Sequence, residues 1–155
     1  MASGILSSVD GSGWESAGAI AYWRDFSSSF IHAGKLWYFG GSSTGTSVRK
    51  DAGFKEESDS AWHRVDSTNV GRRYGQSTVS HESVVWLVSG HDEDSLRSDT
   101  WYSYDGLNWI LATRANPFTA RITHGGVYFD NRTWIMGGED ATGVLNDVWY
   151  TSDLP

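Results

Sequence analysis

Short apolar runs broken by polar turns dominate the chain. Val127-Tyr128-Phe129 ends at Asp130-Asn131, a turn signal, and Thr133-Trp134-Ile135-Met136 follows before Gly137-Gly138 stops it. Asn146-Asp147 then leads into Val148-Trp149-Tyr150-Thr151. One stretch upstream, Thr100 to Tyr104 is followed by the turn pair Asp105-Gly106 and then by Trp109-Ile110-Leu111. Aromatic and β-branched residues in such short runs predict strands. No segment sustains apolar residues at i, i+3, i+4 and i+7, so no helix is predicted. The expected class is all-β. Each stretch reads as four strands, a to d, with a small-residue stop between b and c.

The pattern repeats. Trp14, Trp62 and Trp109 are spaced 48 and 47, and Trp37, Trp86 and Trp134 are spaced 49 and 48. Arg24, Arg73 and Arg121 repeat the 49 and 48. Gly40-Gly41, Ser89-Gly90 and Gly137-Gly138 each end at the same offset from their arginine. Leu6, Phe54, Trp101 and Trp149 are aligned as a further set, spaced 48, 47 and 48. Positions that drift together by one residue mark a structural repeat, and four strands per repeat of about this length is the blade of a β-propeller.

Arg121-x-x-His124, the apolar strand after it, Thr133 to Gly138 and Asn146 to Tyr150 together resemble the kelch repeat. Asp99 to Trp109 is similar to the connection in bacterial kelch-like and galactose-oxidase-like propellers. The resemblance covers nearly the whole chain and is strongest from about Arg72 onward. The first copy departs from it, with Phe54 read at the c-strand Trp position and Ser27 at the His position; the second has Gln76 and Ser89-Gly90. The resemblance implies blades at 19–66, 67–114 and 115–155, after a leading outer-strand segment over about 1–18. The last blade lacks its outer strand. It also implies closure by the Trp14 strand, although Ile5 to Val9 and Val148 to Ser152 compete for one strand position there; Trp149 is expected to hold it.

Composition narrows the function. The 155 residues suffice for one domain, and 39% hydrophobic with 20% charged residues can bury a core. Twelve Lys and Arg against nineteen Asp and Glu give a net charge of −7, which argues against nucleic acid or an anionic membrane as partner. With no cysteine there is no disulfide, no thiol nucleophile and no cysteine-ligated metal. The copper site and Tyr–Cys cross-link of galactose-oxidase-like proteins therefore cannot form. Residues 1–6 have no basic region and no long apolar stretch follows, so neither signal peptide nor membrane span is expected, and the default location is the cytoplasm.

Catalytic chemistry is thin. Ser103-x-Asp105-Gly106-x-x-Trp109, echoed by Ser8-x-Asp10-Gly11-x-x-Trp14, looks like the Asp-box turn of sialidases but is one residue shorter. No Tyr–Glu nucleophile pair accompanies the three arginines. His91-Asp92-Glu93-Asp94 and Glu139-Asp140 fall on b–c loops, where clustered oxygens suit a cation, yet they match no calcium loop and read as solvated acidic loops. The five histidines show no zinc spacing, and Asn131-Arg132-Thr133 is a formal glycosylation sequon on a tight hairpin. Neither an enzyme nor a cofactor or metal site is expected.

Three blades cannot close a ring, and two copies supply six. The expectation is a homodimeric six-bladed ring acting as a binding or scaffold module. The kelch resemblance puts ligand contacts, to a protein, peptide or glycan, on the face built by the b–c and d–a loops. There it implies Arg24, Arg73 and Arg121 with Ser43, His91, Asp92, Glu139 and Asp140, and an arginine rim suits a carboxylate. The alternatives are a purely structural half-propeller, natural fragment or engineered, with no ligand, and more remotely a sialidase-like hydrolase.

Overall fold

A computed structural model describes residues 5–20, 22–43 and 47–151. The part of the competing strand position at Ser152 lies outside them. Every described element is a strand, and every pairing is antiparallel. A hairpin of β1 (Leu6–Ser7) and β2 (Glu15–Ser16) comes first.

The first sheet is a meander of β3 (Ser28–His32) and β4 (Lys35–Phe39), followed after the small hairpin β5 (Ser42–Ser43) and β6 (Ser47–Val48) by β7 (Ala52–Lys55) and β8 (His63–Val65). The second contains β9 (Ser77–His81), β10 (Val84–His91), β11 (Leu96–Ser103) and β12 (Trp109–Thr113) in that spatial order. The third, among the described residues, has three strands: β13 (Gly125–Phe129), β14 (Arg132–Met136) and, beyond the hairpin β15 (Glu139–Asp140) and β16 (Gly143–Val144), β17 (Val148–Tyr150).

The alternation of each strand sorts its side chains between neighbouring sheets. Phe30, Trp37, Phe39 and Ala52 of the first sheet meet Val85, Leu87 and Trp109 of the second, with Val70 from the connection, in one buried cluster. Phe30 stacks on Trp37 at 5.8 Å and meets Trp109 edge-on at 6.3 Å, the geometry aromatic quadrupoles favour. Trp86 and Val88 on the opposite face of the second sheet turn toward the third, where Gly126 lies close against Ser77 and Val79. The outward face of the third sheet leaves Phe129 at 68% exposure, with Val127, Met136, Val148 and Tyr150 also exposed.

Strand register corrects one alignment. Trp37 pairs with Phe54, Trp86 with Tyr102 and Trp134 with Tyr150. Phe54 is therefore the counterpart of Tyr102 and Tyr150. The place of Trp101 and Trp149 is held in the first sheet by Gly53, opposite Tyr38. The reason is volume: Tyr38 stands where the later sheets have Leu87 and Ile135, and its ring fills the space an indole takes elsewhere. A Cβ on Gly53 would lie 2.6 Å from that ring. Trp149 itself faces the second sheet, half-buried beside Phe118, rather than the open face.

The pairing generates a test. Gly53→Ala should cost about 2 kcal/mol by overpacking. In a Tyr38→Leu background the same change should cost at least about 1 kcal/mol less, because the ring it strikes is gone. Denaturant unfolding of the four-protein cycle measures the coupling, and equal costs in both backgrounds would refute the volume exchange.

Candidate functional site

Each sheet carries the same ion pair at the same end, its arginine buried; Asp51 and Asp99 are largely buried too, while Asp147 is partly exposed. Arg24 meets Asp51 at 2.9 Å, Arg73 meets Asp99 at 2.7 Å and Arg121 meets Asp147 at 2.6 Å. Each guanidinium also donates to the carbonyl that ends strand b, at Gly40, Ser89 or Gly137. Those three residues have φ of 61°, 56° and 60°, the left-handed turn that glycine favours and Ser89 tolerates. One arginine thus ties together the approach to strand a, the end of strand b and the start of strand c.

The indoles of Trp101 and Trp149 donate to Asp99 and Asp147 at 2.8 and 2.6 Å. In the first sheet, where Gly53 offers no indole, Arg64 approaches Asp51 at 3.7 Å instead. Donation from Arg121 holds the Asp147 carboxyl far below the usual carboxylate range.

The three arginines expected on a ligand rim are therefore interior. The Arg121 side chain is 0% exposed. All three are engaged by their aspartates, so no carboxylate ligand reaches them. The sequence reading missed those partners, although Asp51, Asp99 and Asp147 recur at one constant spacing.

The loop residues do gather at this end. Asp25 bridges to Ser42, Tyr74 to His91 and Ile122 to Glu139, which sets each b–c loop beside the residue after its arginine. Ser43 accepts a hydrogen bond from Arg49. His91 stacks on Tyr74 at 5.1 Å, and Tyr74 in turn meets exposed Phe26 at 6.3 Å. Asp92 closes its own turn by accepting from the Asp94 and Ser95 amides and pairs with Arg97. Asp140 accepts from Thr142, and Glu139 is exposed. Among the described residues, no three His, Asp or Glu side chains converge as metal ligands.

The short Asp-box-like turns form as read. Asp105 accepts from the Leu107 and Asn108 amides at 2.8 and 2.7 Å, and Ser103 Oγ accepts from Gly106 at 2.9 Å. Burial works against ionisation of Asp105 but is outweighed by these bonds and the Asn108 amide, and its pKa falls to about 2. Asp10 repeats the arrangement, with bonds led by the Ser12 amide lowering its pKa to about 2.

Hydrogen bonds also run from sheet to sheet. Gly41 N donates to Arg73 O at 2.8 Å, and Gly90 N to Arg121 O at 2.9 Å. Gly75 N donates to Phe26 O, and Thr123 N to Gly75 O. Gln76 reaches back to Ser28 and the Phe39 carbonyl, and His124 to Ser77 at 2.8 Å. Burial first, then the Arg121 charge, depresses the His124 pKa to about 4, with the Val88 carbonyl opposing.

The chain matches no family model and no curated protein. Among the described residues, no helix is long and apolar enough to cross a membrane.

Two consequences are measurable. Arg73→Ala strands the Asp99 charge inside the sheet and should cost about 3–5 kcal/mol in denaturant unfolding, while an Arg73→Met, Asp99→Leu double change should recover most of that. His124 is neutral when folded and titrates near 6.5 when unfolded, so its contribution is complete above pH 6.5 and lost as pH falls toward 4. Stability should drop by about 2 kcal/mol between pH 7.5 and 5, above the range where carboxylates protonate. His124→Gln, the residue found at position 76, should flatten that slope; an unchanged slope would contradict the assignment.

Proposed function

We propose that the three sheets are blades of a kelch-like β-propeller and that the chain is a non-enzymatic scaffold completed by a second copy of itself. The relay of hydrogen bonds between sheets carries this reading. It starts and stops with complementary groups. At the leading end, Phe26 N and Arg24 O have no partner among the described residues; at the trailing end, neither do Thr123 O and Gly138 N. Those are the donors and acceptors that the internal junctions use. Thr123 O of one copy answers Phe26 N of the next, as Gly75 O answers Thr123 N within the chain. Gly138 N answers Arg24 O, as Gly41 N answers Arg73 O.

The exposed apolar face of the third sheet supplies the driving force, since such a face in water marks an interaction surface. Two copies give six blades, within the usual range. Head-to-tail contacts that close after two copies leave no open end.

A ligand for this scaffold, a protein segment, peptide or glycan, fits the loop face at the arginine end. Recognition there falls to Phe26, Tyr74 and His91, whose adjoining rings lie beside the b–c loops. The buried arginines hold the loops in place.

Light scattering behind a sizing column should give twice the chain mass of 17.1 kDa. A folded 17.1 kDa species at micromolar concentration would sink the reading. Sialosides and galactose should not be turned over; activity abolished by a loop-face substitution would replace a scaffold with an enzyme.

A further inference from the structure

Between the second and third sheets lies a cavity of about 650 Å³, lined among others by Trp86, Val88, Thr100, Tyr102, Leu111 and Trp149. At the junction between the first and second sheets, Trp109 occupies the corresponding place. Trp109 is 3% exposed and packs on Phe30 and Phe39, and its backbone is clamped by Asn69 at 2.6 and 2.9 Å. It is carried there by the turn Ser103 to Gly106, whose Gly106 lies against the Trp37 ring. Trp109 belongs to a fourth strand, β12, and among the described residues the third sheet has no fourth strand. The cavity walls Trp86 and Val88 are the counterparts of Trp37 and Phe39, one sheet later.

The chain carries a second copy of the plug. Ser8 to Trp14 builds the same turn as Ser103 to Trp109. Gly11 N donates to Ser8 Oγ at 2.8 Å, Ser12 N to Asp10 Oδ1 at 2.9 Å, and Gly11 has φ of 80° against 76° for Gly106. Yet Trp14 is 60% exposed, and a Cβ on Gly11 would meet nothing within 4 Å. Among the described residues the strand after it, β2, is paired only with β1, through Leu6 opposite Ser16. That pairing matches Trp101 opposite Leu111, so β1 occupies the place beside β2 that β17 would take.

We infer that this cavity is the receptor for Trp14 of a second copy, with β2 leaving β1 to lie along the free edge of β17. The inference rests on the ring proposed above and deepens it by naming the residue that locks each junction. A second copy, rather than the same chain, is the occupant because of chain order. Trp62 and Trp109 each belong to the sheet immediately before the next arginine, Arg73 and Arg121; Trp14 stands at nearly the same offset before Arg24. Its sheet is therefore the one preceding the first, which in a two-copy ring is the partner's third sheet. The site is also a continuation of the interface already formed between the second and third sheets.

The test uses the full chain and two variants, Trp14→Ala and Ala112→Trp, the latter filling the cavity from the wall that Ala112 contributes. Both positions are exposed in the single chain, so both variants should fold, which circular dichroism checks. Sedimentation equilibrium should show the dimer dissociation constant raised by roughly 100-fold or more in each, as expected for removing or excluding a buried Trp at two junctions. Mixed in equal amounts, the variants should dimerise more tightly than either alone. In the mixed ring one junction joins an intact Trp14 to an intact cavity. Variants that dimerise as tightly as the parent would overturn the plug and leave the ring standing; a parent chain that is monomeric would overturn the ring itself.

Discussion

The Arg–Asp pair, its arginine buried, is the constraint on which each sheet depends. Taking the arginine out of water, and in the first two sheets its aspartate as well, is expensive, and the attraction repays it only when the remaining donors are satisfied. Here they largely are: each guanidinium holds both a carboxylate and a backbone carbonyl. What the pair provides is register. A one-residue slip in any of strands a, b or c would separate the aspartate from the arginine and turn the apolar faces inside out. The left-handed turn at Gly40, Ser89 and Gly137 presents the carbonyl to the guanidinium, so backbone strain and ion pair are parts of one device.

That device also couples neighbouring sheets. The residue after each left-handed turn donates to the arginine carbonyl of the next sheet, at Gly41 and Gly90. A Cβ on Gly40 would sit 2.2 Å from Arg73 O, so the first sheet's turn and the second sheet's arginine must approach backbone to backbone. Side chains then fill what the backbone leaves: Trp109 at the first junction, and Ser77 and Val79 against the bare backbone of Gly126 at the second. Because each sheet meets only the next, the ends of the arc keep the same unsatisfied groups that the interior uses, as in other repeat arrays.

Much of this was legible in the sequence. The all-β class followed from the short aromatic runs, and the turn at Asp105 from Ser-x-Asp-Gly. Spacing marked Trp37, Trp86 and Trp134 as equivalents, and their registers agree. The arginines were found but misassigned. A repeated charge looks the same in sequence whether it faces a ligand or an internal partner, and the deciding fact was the aspartate that follows each arginine at the start of strand c. Phe54 was misaligned because it stands one repeat length before Trp101 and, within a single position, one repeat length before Tyr102 as well. Only the exchange of Tyr38 and Gly53 for Leu87 and Trp101 separates the two alignments. The missing outer strand of the last repeat was legible, but nothing in the sequence showed that its place opens into a cavity beside Trp86.

The end positions differ from the interior in a way that suits association after folding. Inside the chain, Gln76 bonds Ser28 and His124 bonds Ser77, buried polar bridges that form as the sheets pack. The positions that would meet between copies are Ser27, in the place of Gln76, and Gly125, in the place of Ser28. Both are exposed in the single chain. A long buried amide or imidazole at such an end would need its partner on every copy, and a half-made polar bridge costs more than an apolar contact. In the single chain the serine is hydrated, and glycine has no side chain to satisfy. Association also costs translational and rotational freedom that intramolecular packing does not, so its free energy must come from dense apolar contact. In the proposed ring that contact comes from Trp14 and the open face of the third sheet, and the polar bridges stay at the junctions that fold within one chain.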